Sequence, residues 1–535
     1  MADQKQSAST HHEAGVDVQP PPASAQTPGA QAEKQTSFVK AIIDHPWVVL
    51  YSIPVHVSSV LWGFDIGVGS ITNALPGFKL DFGYEYHGQL LIGAVWNALW
   101  GAMTSLGLLV GGIACGYISD WRGRRFALAI GCCLSILGVG IMYAANSPAV
   151  LLVAKSINGF SLGFFLTIAP MYASEISPKP LRPVMTAAVN LFICAGQLTA
   201  IGIGNTRFAI MGPASYRVLF AAQWAFPVFV LACVPLMPES PWYLVRKQRH
   251  DDARKSLVRL HRNGVDVEEL LSAVDLAVAA ELNLAEGAKG VSYADCFRGT
   301  NARRTRIVCG MFVIQQFTGI GFYAQALYFL GITGLDIKLT FQLALAGFGA
   351  GLVGNVASWF IMDYVGRRRL LLAGIIINGL LLMAVGIAGS VPPTKGALYF
   401  IGFAMNFAQL FYAPTVGAVS WAVSAETSST RMRAKTQGLA TVTNALASWL
   451  MNFVTPYLIN TDEANLGGKA GFFWLGLCVL GFGWVWLDVP ELKGRDFVEI
   501  DYLFETKTPA RQFRHAQVPT AGQIADKLDI KEDKE

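Results

Sequence analysis

Long runs of apolar residues, separated by short polar segments, make up most of the chain from residue 47 onward. A run of about 20 apolar residues is long enough to cross a bilayer as a helix, and Pro and Gly are tolerated inside such helices. We therefore expect an all-α membrane protein. The pattern predicts twelve spans, at 47–73, 97–118, 126–144, 148–172, 184–205, 217–237, 306–331, 340–362, 370–390, 397–423, 436–459 and 470–488.

The composition supports a membrane protein and argues against several other classes. Charged residues are only 14% of the chain and hydrophobic residues 53%, whereas soluble domains carry roughly 25% charged residues. The net charge of +5 is modest, and no basic stripe interleaves with aromatic residues, so a nucleic-acid partner is not expected. The chain has no nucleophile–base pairing, no phosphate loop and no cysteines at metal-ligand spacing. We therefore expect neither an enzyme nor a bound cofactor or metal.

Basic residues are concentrated in alternate loops, after spans two, four, eight and ten. By the positive-inside rule these loops are cytoplasmic, and an even number of spans then places both termini inside. We expect a monomer in the plasma membrane. The predicted organisation is a disordered tail at 1–40, a six-helix half at 41–237, a cytoplasmic loop with short amphipathic helices at 238–305, a second half at 306–488 and a cytoplasmic tail at 489–535.

Two charged motifs recur in the same order roughly 250 residues apart. The pattern Asp-x-x-Gly-Arg-Arg at 120–125 returns at 363–368, in each case after the second span of a half. Glu175 and Arg182 return with the same spacing as Glu426 and Arg433, after the fourth span. An internal repeat of this kind predicts two homologous six-helix halves, and transporters of that build hold their substrate between the halves near the bilayer midplane.

Four motifs carry a family resemblance. They are GYISDWRGRR at 116–125, PESPWYL at 238–244, QQFTGIG at 315–321 and PELKGRDFVEID at 490–501. Over roughly residues 50–502 the chain resembles the sugar porter family of the major facilitator superfamily. Within that family it looks most similar to fungal α-glucoside (maltose-type) permeases. The resemblance implies the major facilitator fold of twelve transmembrane helices.

Asp65 is the first candidate for proton coupling. A carboxylate inside a membrane span costs at least a few kcal/mol and is a functional-site hypothesis by default. Asp65 also resembles the span-one Asp of proton-coupled sugar porters, whose usual partner is an Arg in span four. Here the matching residue is Lys155, which keeps the charge but loses the bidentate fork. The alternatives are that Asp65 only supports packing and that Lys155 reaches to the membrane interface.

The resemblance also implies residues for the sugar and for gating. Sugar recognition needs amides, hydroxyls and an aromatic face. The family's span-seven motif usually ends in Asn, where this chain has Gly321, and the extra space suits a larger substrate such as a disaccharide. The candidate sugar-binding residues are Asn190, Gln197, Gln315, Gln316, Trp421 and Asn444. The candidate charge networks, expected to latch the halves on the cytoplasmic side, contain Asp120, Arg124, Arg125, Glu175, Arg182, Asp363, Arg367, Arg368, Glu426 and Arg433.

These observations predict a secondary active transporter, with protons and a sugar such as maltose as the transported species. Two alternatives stay open at this point. Lys155 and Gly321 are also compatible with a facilitator or exporter of another solute, such as a glycosylated metabolite. A non-transporting sugar sensor is the third possibility, although only about 45 residues follow span twelve.

Overall fold

A computed structural model describes residues 45–178, 181–261, 266–287, 293–392, 394–428, 432–495, 497–514 and 516. All of the expected amino-terminal tail, and the end of the expected carboxyl-terminal tail, lie outside the described residues. Within them the chain is almost entirely helical, and the predicted all-α architecture with twelve spans is confirmed.

Nine spans are single helices, and spans six, seven and ten are divided into pieces. The bounds of spans one to six are Pro46–Ala74, Ala94–Arg122, Arg124–Ala144, Pro148–Ile176, Arg182–Asn205, and Ala214–Gln223 with Ala225–Cys233. Span seven is Gly299–Phe317, Ile320–Ala324 and Ala326–Ile332. Spans eight and nine are Ile337–Val365 and Arg367–Ala388. Span ten consists of the helix Lys395–Tyr412, the π-helix Ala413–Gly417 and the helix Ala418–Thr427. Spans eleven and twelve are Arg433–Ile459 and Ala470–Asp488.

Spans seven and eleven differ from the others in polarity. Ten helical segments in the described part of the chain are long and apolar enough to cross a membrane by length and composition. Spans seven and eleven do not meet that criterion, because span seven begins with a basic cluster and is broken at Gly319, and span eleven carries Gln437 and Asn444. Polar side chains at membrane depth face protein or water rather than lipid. These two spans therefore belong to the interior of the bundle.

Shorter elements connect the spans. The linker between the halves contains the helices Pro241–Arg246, His250–Leu260 and Val267–Gly287, and a further helix follows span twelve at Phe497–Glu505. The 3₁₀ segments are Val234–Leu236, Tyr293–Phe297 and Gly467–Lys469. After span one come the helix Pro76–Phe82 and an antiparallel hairpin of strands β1, Tyr84–Tyr86, and β2, Gln89–Leu91. The hairpin turn has positive φ at both His87 and Gly88, as a type I′ turn requires.

The two ends of the bundle differ in what they carry. One end, the basic face, carries the loops 122–125 and 366–369 and the linker helices. The hairpin face, at the opposite ends of the spans, carries the β1–β2 hairpin. Small residues let the spans pack closely between these faces: a Cβ on Gly63 would lie 1.9 Å from the carbonyl oxygen of Ile193, and one on Gly111 would lie 1.9 Å from that of Phe160. Such backbone-to-backbone packing is typical of membrane helices.

The two halves contact each other at the hairpin face. The carbonyl oxygen of Ile92 accepts hydrogen bonds from Tyr328 Oη at 3.4 Å and from Asn460 Nδ2 at 2.9 Å. Tyr84 of strand β1 donates to the Asp462 carboxylate. These bonds tie the hairpin of the first half to the ends of spans seven and eleven in the second. The hairpin face is therefore closed in this structure.

Candidate functional site

The buried carboxylate of Asp65 is held by two amide side chains from other spans. Asn158 Nδ2, on span four, donates to Asp65 Oδ1 at 2.7 Å, and Gln223 Nε2, on span six, donates to the same oxygen at 2.9 Å. All three side chains are buried. Hydrogen bonds to an ionised group are about twice as strong as neutral ones. The two amides therefore stabilise a charge at a depth where an unassisted carboxylate would be very unfavourable.

Gln223 occupies a break in span six. The helix Ala214–Gln223 ends there and a second helix begins at Ala225. Pro227 lies four residues further on and has no N–H, so the carbonyl of Gln223 cannot receive its usual helical hydrogen bond. The side chain that holds Asp65 is thus attached to the point at which span six is interrupted.

Lys155 lies next to Asp65 on the span-four surface but does not pair with it. Its Nζ is 3.7 Å from the position that a Cβ on Gly69 would occupy, and Gly69 is one helical turn beyond Asp65 on span one. Within the described residues no ion pair of 4 Å or less joins Lys155 to Asp65. The amide of Asn158, one turn along span four from Lys155, takes the place next to the carboxylate instead.

The candidate sugar-binding residues of the second half come together around spans seven, ten and eleven. Gln315 Nε2 donates to the carbonyl oxygen of Gly417, at the end of the π-helix, at 2.9 Å. Gln316 Nε2 lies 3.5 Å from Asn444 Oδ1 on span eleven. Trp421 is about half exposed, and its ring meets Phe312 edge to face at 4.7 Å.

Span seven is interrupted beside this group. Gly319 has a φ of +89° and separates the first two pieces of the span. Two residues on, Gly321 is buried, and a Cβ there would lie 3.4 Å from Thr455 Oγ1 and 3.7 Å from Met451 Cβ of span eleven. The position without an amide is therefore packed against span eleven. The candidate sugar-binding residues of the first half are on span five. Asn190 is exposed, and Gln197 is partly buried, with its backbone packed against Gly67 of span one.

The charge network of the first half is centred on Arg124. This side chain is 1% exposed, and it donates from Nε and Nη2 to the two carboxylate oxygens of Glu175 at 3.0 and 2.9 Å. Asp120 lies 3.5 Å from Arg124 Nη1. Arg125 donates to the carbonyl oxygens of Val234 and Pro235 at the end of span six. The network therefore ties together the basic-face ends of spans two, three, four and six.

A glutamate that the motif repeat did not single out completes each network. Glu239 accepts from the backbone N–H groups of Arg124 and Arg125 at 3.0 and 3.3 Å, and so caps the start of span three. In the second half Glu491 accepts from the N–H of Arg367 at 2.9 Å. Burial raises the pKa of Glu239, while these backbone N–H donors lower it to a smaller extent. Carboxylates at a helix N-terminus also interact favourably with the helix dipole.

Glycine is required next to both caps. Gly123 and Gly366 have φ of +96° and +94°, in a region that other residues rarely adopt. A Cβ at Gly123 would lie 2.5 Å from Glu239 Oε2, and one at Gly366 would lie 2.7 Å from Glu491 Oε2. The same glycine, arginine and glutamate geometry thus occurs in both halves, which accounts for the repeat in the sequence.

The remaining charged candidates fall into three groups. Arg367 donates from Nε and Nη2 to Oε1 of Glu426, and so forms the counterpart of the pair between Arg124 and Glu175. Arg182 lies over the ring of Trp242 at 5.4 Å, and Arg368 Nη2 donates to the carbonyl oxygen of Trp486 at 2.7 Å. The side chains of Asp363 and Arg433 lie outside the described residues.

Comparisons with known proteins agree with this architecture. Residues 51–504 match the sequence family described as Sugar (and other) transporter. The General alpha-glucoside permease of Saccharomyces cerevisiae is 32% identical over 509 residues, which cover 92% of this chain and 80% of the permease. The MFS transporter fmqE of Aspergillus fumigatus is 30% identical over 502 residues, which cover 92% of this chain and 94% of that protein.

Among solved structures, the inward open xylose transporter XylE from E. coli matches with a TM-score of 0.67. The match covers 85% of this chain and 99% of XylE at 21% identity. At that level of identity the likeness shows the fold. Within the part of the chain that the structure describes, no group of three or more His, Cys, Asp or Glu side chains could hold a metal ion.

Proposed function

Because the chain belongs to the sugar (and other) transporter family of the major facilitator superfamily, we propose that it is a proton-coupled importer of an α-glucoside such as maltose. It works by alternating access and acts as a transporter rather than an enzyme. The basic face is cytoplasmic, so both termini lie inside, and the protein acts in the plasma membrane. The curated General alpha-glucoside permease, similar over most of this chain, supports the choice of sugar.

The observation that carries the coupling proposal is the Asp65 carboxylate, buried in span one and held by amides from spans four and six. Both amide donors reach Oδ1, so Oδ2 has no hydrogen-bond partner among the described residues and is the oxygen available to take a proton. Protonation removes the charge that the two amides stabilise and weakens their hold on span one. Asp65 can thus link proton binding to the relative position of three spans of the first half.

One proton per sugar is energetically sufficient. A membrane potential of about 100 mV is worth roughly 2.3 kcal/mol per charge, and one pH unit adds about 1.4 kcal/mol. Together they support accumulation of several hundredfold. The sugar binds between the halves, at the group formed by Gln315, Gln316 and Asn444 with the partly exposed ring of Trp421.

Uptake of labelled maltose into a host without its own α-glucoside carriers tests this proposal. We expect uptake to rise at acidic external pH and to collapse with a protonophore. Absence of maltose uptake by protein shown to be at the cell surface would contradict the substrate, and flux unaffected by pH and protonophore would contradict the coupling.

Asp65→Asn tests the coupling residue separately. We expect it to abolish accumulation against a gradient while sugar exchange across the membrane continues, because the amide cannot take up or release a proton. A variant that still concentrates maltose like the unmodified protein would show that coupling occurs elsewhere.

A further inference from the structure

Two arginine side chains share one exposed indole where span twelve meets the basic face. The guanidinium carbon of Arg368 lies 5.4 Å from the centre of the Trp486 ring, and that of Arg511 lies 5.3 Å from the same centre. Neither arginine has a carboxylate within ion-pair distance among the described residues. Two like charges have thus been brought to one aromatic side chain without a direct ion pair to either of them among the described residues.

The position of Arg511 is built into the fold rather than left to a free tail. After the helix Phe497–Glu505 the chain folds back under span seven, where Phe513 is fully buried and packs against Phe504 at 5.1 Å. Arg495 Nη2 donates to the carbonyl oxygens of Phe513 and Ala516 at 3.0 and 2.7 Å. Arg303 Nη1 donates to that of Thr508 at 2.7 Å. Arg511 is held between these anchored points.

Nearby carboxylates already have other partners. Asp488, at the end of span twelve, pairs with Arg306 at 2.7 Å. Glu491 accepts through Oε1 from the backbone N–H groups of Arg367 and Lys493, and its carboxylate influences Arg368 only from beyond ion-pair distance. Arg368 also retains a buried Nε without a hydrogen-bond partner. Arg368 Nη2 already donates to the carbonyl oxygen of Trp486, so Nη1 of Arg368 and the donors of Arg511 are the groups left for an anion that comes from outside the chain.

We propose that Arg368, Arg511 and Trp486 form a binding site for the phosphate of an anionic lipid headgroup. Guanidinium groups recognise phosphate through paired charge-assisted hydrogen bonds. Trp is typical of the boundary between hydrocarbon and headgroups, and Trp486 is 45% exposed. Along the same span, Leu480 and Leu487 are about two-thirds exposed and provide an apolar surface for the acyl chains. That surface favours a lipid over a soluble phosphate compound.

The lipid would connect two parts of the second half. Arg368 belongs to the start of span nine, and Arg511 belongs to the folded-back segment that packs against span seven. A headgroup bound to both arginines offsets their mutual repulsion and holds that segment against the base of the bundle. This site does not depend on which sugar is transported or on proton coupling.

Native mass spectrometry of the purified full chain, with added phosphatidylglycerol or phosphatidylcholine, tests the site. We expect phosphatidylglycerol to be retained preferentially. Arg511→Gln should weaken its binding about fivefold, since one arginine near a membrane surface is worth about that factor. Arg514→Gln, which changes an exposed arginine three residues away, should leave binding unchanged. Equal loss in both variants, or no preference between the lipids, would overturn the proposal.

Two further measurements distinguish a lipid from a soluble phosphate compound and test the role of charge without a substitution. Excess glycerol 1-phosphate should not displace the lipid, and full displacement would assign the site to a soluble phosphate compound and overturn the lipid assignment. With the unmodified chain, phosphatidylglycerol binding should fall as salt is raised while phosphatidylcholine binding does not. Because that salt test needs no substitution, it remains decisive even if the Arg511 variant folds poorly.

Discussion

At the scale of single residues, the electrostatics of Asp65 are governed by amides rather than by a cation. Asn158 and Gln223 supply two donors to one carboxylate oxygen, while Lys155 is displaced by a turn toward Gly69. The carboxylate is thus held by hydrogen bonds from neutral side chains on two other spans, and no cationic side chain forms an ion pair with it among the described residues.

The first prediction concerns Asn158. Asn158→Leu removes a donor from a buried carboxylate, and such a loss costs about 1.5–3 kcal/mol when the acceptor is charged. We expect a clear fall in the unfolding temperature of the purified protein. In the Asp65→Asn background the same substitution should cost less, because no charge is left to stabilise.

The matched control for Asn158 is Asn378 in the second half. It is equally buried, and its Nδ2 donates to the carbonyl oxygen of Gly374 within its own helix. Asn378→Leu should therefore lower the unfolding temperature by the same amount with and without Asp65→Asn. If Asn158→Leu shows no more coupling to Asp65→Asn than Asn378→Leu does, the amide does not stabilise the charge.

The sequence was informative about which residues are unusual but not about their partners. Asp65 could be recognised because a carboxylate inside an apolar run is rare. Asn158 and Gln223 could not, because buried amides in membrane helices commonly bond between spans, and which spans meet is a property of the fold. Glu239 and Glu491 were within reach, since Pro-Glu follows the sixth span of each half and repeats as regularly as the arginine motifs.

At the scale of elements, the hairpin and the short helix before it control the closed face. Lys79, on the helix Pro76–Phe82, is 9% exposed, and its Nζ lies 5.3 Å from the ring centre of Tyr328 in the other half. Burial lowers the pKa of Lys79 from 10.5 to about 8. Opening this face would hydrate the ammonium and restore its ordinary pKa.

The second prediction follows from that difference. The closed state binds the Lys79 proton less tightly, so closure should become more favourable as pH rises from about 8 toward 10.5. Below about pH 8 the Lys79 side chain is charged in both states, so the free-energy cost of burying it on closure does not change with pH. The Tyr84 bond to Asp462 persists over this range, since the pKa of Tyr84 is raised to about 12 by burial and by Asp462.

Spin labels at Glu85 and Ala464, which lie on opposite halves at the hairpin face, can measure this closure. Their distance distribution should shift toward the short component as pH rises through this range. Lys79→Met should favour closure below about pH 10.5, where the lysine of the open state is charged, and should abolish the shift. A shift that persists in Lys79→Met would assign the titration to another group.

The membrane spans were predicted well where the apolar run is long and continuous, and less well where polar residues interrupt it. Spans seven and eleven were identified, but the breaks at Gly319 and Gln325 in span seven are not visible in hydrophobicity. The π-helix in span ten was also missed, although Pro414 within it is a local cause, because a proline removes a helical hydrogen bond. The hairpin was missed because its strands are only three residues long.

At the scale of the whole molecule, the contacts between the halves define the conformational state. Spans two and eleven pack so closely near the hairpin face that a Cβ on Gly101 would lie 3.3 Å from the Cβ of Asn452. One turn along span two, Ser105 Oγ accepts from Asn452 Nδ2 at 3.2 Å. The ion pairs at the basic face described above each lie within a single half. Alternating access therefore requires the contacts of spans two and eleven to separate in each cycle.

The last prediction tests that requirement. Ser105→Cys combined with Asn452→Cys places two thiols at a contact between the halves, and mild oxidation should join them and hold the hairpin face closed. Uptake and exchange should both stop, because neither can proceed if one face never opens, and a reductant should restore them. Each single cysteine variant serves as the control and should keep its activity under oxidation. Cross-linked protein that still exchanged maltose would show that this face opens without separating spans two and eleven, for example through local movement of the broken segments of span seven.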